Sequence, residues 1–252
     1  MDAKEINRIA WNNEVEKRNY WTIPVNHEEI EDARKKEIKI HLTPMKYMPT
    51  SFLEGTGDKA LLLGGGGGQQ GPLLAAHGKE VTVVDISERQ LENDQIVCER
   101  EGLEITTVNA DMCSLDFIED GSFDFVMIPQ SINFISELDK LYSEVDRVLK
   151  KDGVLIISFA NPALYIFDVK KLERGKLKIK YTLPFNSEVS LSRKEIERKL
   201  DTMEYSHTLD EIIGGLLKRN FTVSDFYTDG SDTEPIDSYL VDCYIAMKLI
   251  KR

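Results

Sequence analysis

The 252-residue sequence predicts an α/β protein built on a doubly wound, mostly parallel sheet. Three observations carry that expectation. Short apolar runs of strand length alternate with amphipathic stretches of helix length. A run of five glycines, Gly64–Gly68, stands directly behind the first strand-like run. The last two strand-like runs are joined only by "GSDTEPIDS", too little for a crossover helix, so they are expected to pair antiparallel.

Taken in order, "KALLLG" from Lys59 reads as a short buried strand. "PLLAAHGK" reads as a helix with Pro72 in its first turn, where a missing N–H does no harm. "VTVVD" is a second strand. "SERQLENDQIVCEREG" is a helix opened by a Ser87-x-x-Gln90 capping box and closed by Gly102. "EITTVNAD" and "FDFVMIP" give the third and fourth strands, "SELDKLYSEVDRVLKKDG" an amphipathic helix, and "VLIISFA" the fifth strand. The alternation breaks from Asn161 to about Tyr205. It resumes with "HTLDEIIGGLLKRNF", which carries a Thr208-x-x-Glu211 capping box, and ends in "TVSDFYTD" and "YLVDCYIAMKLI". The expected organisation is an N-terminal helical cap segment over 1–50, a core over 51–160, an inserted lid over 161–205, and completion of the sheet over 206–252. Within the insertion, a capped helix is expected from Ser192 ("SRKEIERKL").

Composition narrows the function. A net charge of −12 disfavours nucleic acid as a partner. No run of about eighteen apolar residues is present to span a membrane, and the first residues lack a secretory apolar stretch. Cys98, Cys113 and Cys243 are few, odd in number and widely spaced. They read as reduced thiols of a cytoplasmic protein, with no metal site. The local exception in charge is "KKLERGKLKIKY" from Lys170. Its second half alternates Lys with apolar residues, as in an edge strand with a lysine face. Its other reading is a patch for an anionic substrate.

Five glycines in a row cost the chain backbone entropy, roughly 0.5–1 kcal/mol each against Ala. A Gly-rich loop between a first strand and a helix N-terminus is a site for a nucleotide-like ligand. Gly66-x-Gly68-x-x-Gly71 formally matches the dinucleotide fingerprint. Asp85 ends the second strand, where an acid accepts hydrogen bonds from vicinal ribose hydroxyls. Asp111 ends the third, where a carboxylate can accept from an adenine amine beside Met112.

The motifs "LLLGGGGG", "VTVVDIS", "NADM", "FDFVMI" and "RVLKKDGVLIISF", in this order and spacing, resemble the class I S-adenosylmethionine-dependent methyltransferases. "AWNNEVEKRNYWTIPV", "GGGQQGP" and "YSHTLDEIIGG" extend the resemblance to a bacterial group of small-molecule methyltransferases, of the methyltransferase-11 and ubiquinone-biosynthesis-methyltransferase type. The resemblance implies a Rossmann-like seven-stranded sheet with its last strand antiparallel. It implies S-adenosylmethionine as cofactor, with S-adenosylhomocysteine as product. The implied cofactor-binding residues are Gly64, Gly65, Gly66, Gly67, Gly68, Gln69, Gln70, Asp85, Ile86, Gln90, Asp111, Met112, Pro129 and Gln130. One departure stands out. The family's acid two residues before the first glycine is Leu62 here, and its role is expected to pass to backbone carbonyls or to Gln69 and Gln70.

Methyl transfer from a sulfonium needs chiefly positioning, so no strict catalytic triad is expected. The loop "PQSINF" offers Gln130, Ser131 and Asn133 to orient an acceptor, or is simply a polar turn. His207 is a candidate base or an exposed helix-flanking residue. Tyr20, Trp21, Tyr165 and Tyr181 are candidate pocket aromatics or packing residues, Tyr20 also a catalytic candidate. Gly214 and Gly215 imply a close neighbour, first of all another helix. The acceptor is a small molecule, with O, N, S and C all open as acceptor atom. The alternatives are a non-catalytic S-adenosylmethionine-binding module and an NAD-dependent oxidoreductase.

Overall fold

Strands that alternate apolar residues on both faces must be covered on both sides, and the chain does this with two separate cores. A computed structural model describes residues 2–172, 174–192 and 202–252. The strands are β1 (Lys59–Leu63), β2 (Glu80–Asp85), β3 (Thr106–Asn109), β4 (Phe123–Ile128), β5 (Leu149–Ala160), β6 (Phe221–Asp229) and β7 (Tyr244–Lys251). They form one seven-stranded sheet in the order β3-β2-β1-β4-β5-β7-β6. Neighbours from β3 to β5 are parallel. β7 is antiparallel to both β5 and β6.

Period-two alternation assigns each strand residue a face. Leu61, Leu63, Val126, Ile128, Leu155 and Ile157 point to one core, where helix α5 (Leu138–Val148) supplies Leu138, Leu141, Tyr142, Val145 and Val148. That spacing is one stripe of a 3.6-residue helix, and each buried side chain contributes about 1.5–3 kcal/mol relative to exposure. Ala60, Leu62, Phe125, Met127 and Ile156 point to the other core. Helix α3 (Gln70–Ala76) and helix α4 (Glu88–Glu101) cover this face, together with residues of the first fifty. Val25, Ile30, Ala33, Ile40 and Leu42, on or beside α2 (His27–Arg34), share it. Lys248 of β7 is buried beneath this segment and donates to the carbonyls of Ser51 (2.8 Å) and Glu54 (2.6 Å).

Several local expectations have definite outcomes. Thr208 and Glu211 exchange both capping-box bonds, at 2.7 and 3.1 Å. The Ser87 box forms only by half: Ser87 Oγ accepts from Gln90 N–H, but the Ser87 N–H donates to Asp85 instead. Gly215 faces the ring of Tyr142 on α5, so the close neighbour is a helix, and Tyr142 Oη donates to the Ile212 carbonyl at 3.0 Å. β5 begins at Leu149, before the expected Val154, and β7 begins at Tyr244 rather than Tyr239. The lysine segment is not a strand. Only Ile179 makes a bridge, to Phe167, because no continuous strand lies beside it to complete a ladder. The helix expected from Ser192 over "SRKEIERKL" lies, beyond Ser192, outside the described residues.

Candidate active site

In a parallel sheet a ligand crevice opens beyond the carboxyl ends of the strands, where the strand order reverses. Here that point lies at β1, between β2 and β4. A cavity of about 560 Å³ occupies it. Gly64, Gly65, Gly66, Gln69 and Gln70 line it after β1, Asp85 and Ile86 after β2, and Asp111 and Met112 after β3. Pro129, Gln130, Ser131 and Asn133 line it after β4, and Gln90 reaches it from α4.

Asp85 is buried at the end of β2. Its two oxygens accept from Ser87 N–H (2.8 Å) and Gly66 N–H (3.3 Å). Burial nevertheless dominates those bonds and pushes its pKa up to about 6. Asp111 accepts from Cys113 N–H at 2.9 Å and pairs with Lys4 Nζ at 3.3 Å. Gln90 Oε1 is buried with no hydrogen-bond partner among the described residues. A buried amide oxygen left unpaired costs about 1–3 kcal/mol.

Only the front of the glycine run faces the cavity. Gly67 and Gly68 are turned into protein. A Cβ on Gly67 would stand 2.8 Å from Gln90 Oε1 and 3.1 Å from the Trp21 carbonyl, and one on Gly68 would stand 2.9 Å from the Asn93 carbonyl. Those two glycines make room for α4 and the N-terminal segment. Gln69 and Gln70 line the cavity, and their amide N–H groups donate to the carbonyls of Tyr20, Ile23 and His41. They tie the first fifty residues to the loop. Leu62, in the position of the usual acid, is fully buried in the core. A carboxylate reaches the loop from elsewhere: Asp94 of α4 accepts from Gly68 N–H at 2.9 Å. Burial raises its pKa well above the ordinary aspartate value, and its second oxygen is unpartnered among the described residues.

The catalytic candidates separate. Asn133 is buried and lines the cavity. Its backbone carbonyl accepts from Tyr205 N–H at 2.7 Å. His207 is buried rather than exposed and is not on the cavity wall. Its Nε2–H donates to the Ile135 carbonyl at 2.7 Å, and burial lowers its pKa. Tyr20 is over half exposed and Tyr181 also lies off the wall, whereas Trp21 and Tyr165 are on it. Ser131 Oγ is engaged by the carbonyls of Gly64 (2.6 Å) and Pro129 (2.7 Å), and Gln130 Nε2 donates to the Leu42 carbonyl at 3.0 Å. Both side chains therefore lock the loop. None of the lysines of the 170–180 segment is on the wall, so no anion patch meets the cavity there.

The first helix, α1 (Ala3–Glu16), within the segment expected to be an N-terminal cap, lies on the cavity wall. It contributes Lys4, Asn7 and Trp11 to the wall. Arg8 pairs with Glu88 (2.5 Å), and Asn12 Oδ1 accepts from Ser87 Oγ–H (2.7 Å), so α1 sits on the start of α4. Asn7 is buried. It accepts from Met203 N–H (2.6 Å) and donates to the carbonyls of Met203 (3.1 Å) and Phe134 (3.3 Å). One amide thus joins α1, the returning insertion and the β4 loop. Asn7→Ala is expected to lower stability by about 1–3 kcal/mol, because it strands three buried backbone groups. A denaturant midpoint unchanged from the parent would refute that role.

The strand order with its reversed β7, and a glycine loop facing two strand-end carboxylates, define a class I methyltransferase architecture. Comparison with known proteins agrees. Residues 61–157 match the model of the family described as "Methyltransferase domain". The uncharacterized methyltransferase YbaJ of Bacillus subtilis (strain 168) is 37% identical over 249 residues, spanning 97% of each chain. The protein belongs to this methyltransferase family. Its fold is also that of magnesium protoporphyrin IX methyltransferase (ChlM) from Synechocystis PCC 6803, solved with bound SAH. That structure is 17% identical at TM-score 0.61, with 100% of both chains covered. The 1,6-didemethyltoxoflavin-N1-methyltransferase of Burkholderia thailandensis is 16% identical at TM-score 0.59, covering 100% of this chain and 91% of that one.

Proposed function

We propose that the protein transfers a methyl group from S-adenosylmethionine to a small-molecule acceptor. One observation supports this above the others: Asp85 stands at the end of β2, beside the glycine loop, on the wall of the cavity of about 560 Å³. The residues present fit the cofactor. Asp85 has lone pairs to accept from two ribose hydroxyls. Asp111 and Met112 stand where an adenine amine and ring would lie. Gln90 also lines the cavity. When bound, the cofactor supplies a methyl already activated on a sulfonium.

What the chain must add is position and dryness. Gly64 and Gly65 let the backbone border the ligand directly. Trp11, Trp21 and Phe134 wall the cavity with rings suited to a sulfonium. The Asn133 side chain, beyond β4, is the orienting group for the acceptor. Small-molecule acceptors also appear in the names of the two structural relatives, magnesium protoporphyrin IX and 1,6-didemethyltoxoflavin.

The first test is thermal. A ligand that binds only the native state raises the melting temperature. S-adenosylmethionine and S-adenosylhomocysteine are expected to raise it, and NAD is not. A rise with NAD alone would mean that the dinucleotide fingerprint is literal and the methyltransferase reading wrong.

A further inference from the structure

The cavity has a second end. From Asp85 on β2 to the close of β5 the sheet steps through three strand spacings, roughly 14 Å. There Ala160 ends β5, Tyr244 opens β7, and the inserted segment returns over them with Tyr165 and Glu204. Trp11 and Phe134 also border the cavity, their rings edge to face at 5.3 Å.

We propose that this end recognises a ring-bearing acceptor through an N–H or O–H donor on that ring, received by Tyr165 and Tyr244. The proposal rests on the methyltransferase reading and adds the class of acceptor. Tyr165 Oη donates its proton to Glu204 Oε2 at 2.7 Å. Burial, and then the Glu204 carboxylate, push the Tyr165 pKa well up, so it holds that proton at neutral pH. With the proton committed to Glu204, the oxygen offers the cavity only lone pairs. Glu204 Oε1 in turn accepts from Thr202 Oγ1 at 2.9 Å, which fixes the carboxylate behind the tyrosine.

Tyr244 is the second observation. Its ring is half-buried on the cavity wall, and its hydroxyl makes no hydrogen bond to a described residue. With no protein partner among the described residues, that hydroxyl keeps its lone pairs available to a donor in the cavity. Accepting groups at one end and ring faces around them call for a flat molecule that donates.

The test uses p-cresol and its methyl ether; the ether lacks the donor and carries one more methyl, so the comparison is read against the Tyr244→Phe variant. Each is titrated against the full-length protein saturated with S-adenosylhomocysteine, and binding is followed by ligand-observed NMR. p-Cresol is expected to bind about threefold to tenfold more tightly than the ether, the range of one hydrogen bond. Tyr244→Phe removes a hydroxyl with no protein partner, so the fold should stand. In that variant the ratio should fall toward one while S-adenosylhomocysteine affinity holds. Equal binding of the two probes, no binding of either, or an unchanged ratio in Tyr244→Phe overturns the acceptor class alone. Failure of S-adenosylhomocysteine to bind the parent protein overturns the methyltransferase reading, and this inference with it.

Discussion

Asp85→Ala is expected to reduce S-adenosylhomocysteine affinity at least 100-fold by calorimetry, with the fold retained. Two charge-assisted hydrogen bonds to ribose hydroxyls are worth about 1.5–3 kcal/mol each, and the substitution removes both. Every 1.4 kcal/mol is tenfold in affinity. The Ser87 and Gly66 N–H groups that Asp85 now receives lose their partner too. They are left facing a cavity that water can enter. Affinity within threefold of the parent would remove the ribose assignment.

The same carboxylate sets a pH dependence. Its pKa lies near 6 in the folded chain, against an ordinary 3.8, and burial is the cause. The ionised form is the one that accepts from a ribose. Affinity should therefore be level above pH 6 and fall as pH drops below it, by up to tenfold per unit. Stability runs the other way. The folded state holds this proton where the unfolded chain has released it. The stabilisation from Asp85 is thus fully present below about pH 4 and lost as pH rises through 6. A binding curve flat from pH 7 to pH 5 would contradict the first of these trends.

Much of this site was legible because its residues are fixed by local geometry. Asp85 follows a run of β-branched residues and precedes a helix cap, so its place at a strand end follows from three neighbouring stretches of sequence. The reversed β7 followed from the length of one connection. What was not legible came from contacts across the chain. Asn7 is one Asn in a charged helix, and nothing nearby marks it as the residue that bonds Met203, 196 positions away. Asp94 looks like any polar residue on α4, yet it does for the glycine loop what the sequence position of Leu62 does not. Gln69 and Gln70 line the cavity as expected of them, and nothing in the sequence showed that their amide N–H groups also hold the N-terminal segment. The lysine alternation had the period of a strand and no partner strand, which periodicity alone does not reveal.

Gly68→Ala should unfold the protein more readily without touching the ligand wall. Gly68 has φ +76°, a region that costs a non-glycine residue about 1 kcal/mol or more. Its Cβ would also lie 2.9 Å from the Asn93 carbonyl oxygen and 2.9 Å from Pro24. The first is backbone of α4 and cannot swing aside. The Gly68 N–H is held by Asp94, and its carbonyl accepts from Val25 N–H at 2.9 Å, so moving the loop breaks bonds on both sides. A loss of about 2–4 kcal/mol is expected, or roughly 5–15 °C in melting temperature for a chain of this size. Gly102→Ala is the matched control. It shares the positive φ, at +63°, but its Cβ would meet nothing within 4 Å. It should show the strain alone, about 1 kcal/mol. If the two variants melt together, close approach at Gly68 is not what the glycine serves. If Gly68→Ala melts well below Gly102→Ala, the run of five has two purposes. Its first residues border the ligand, and its last let α4 and the N-terminal segment close against the loop.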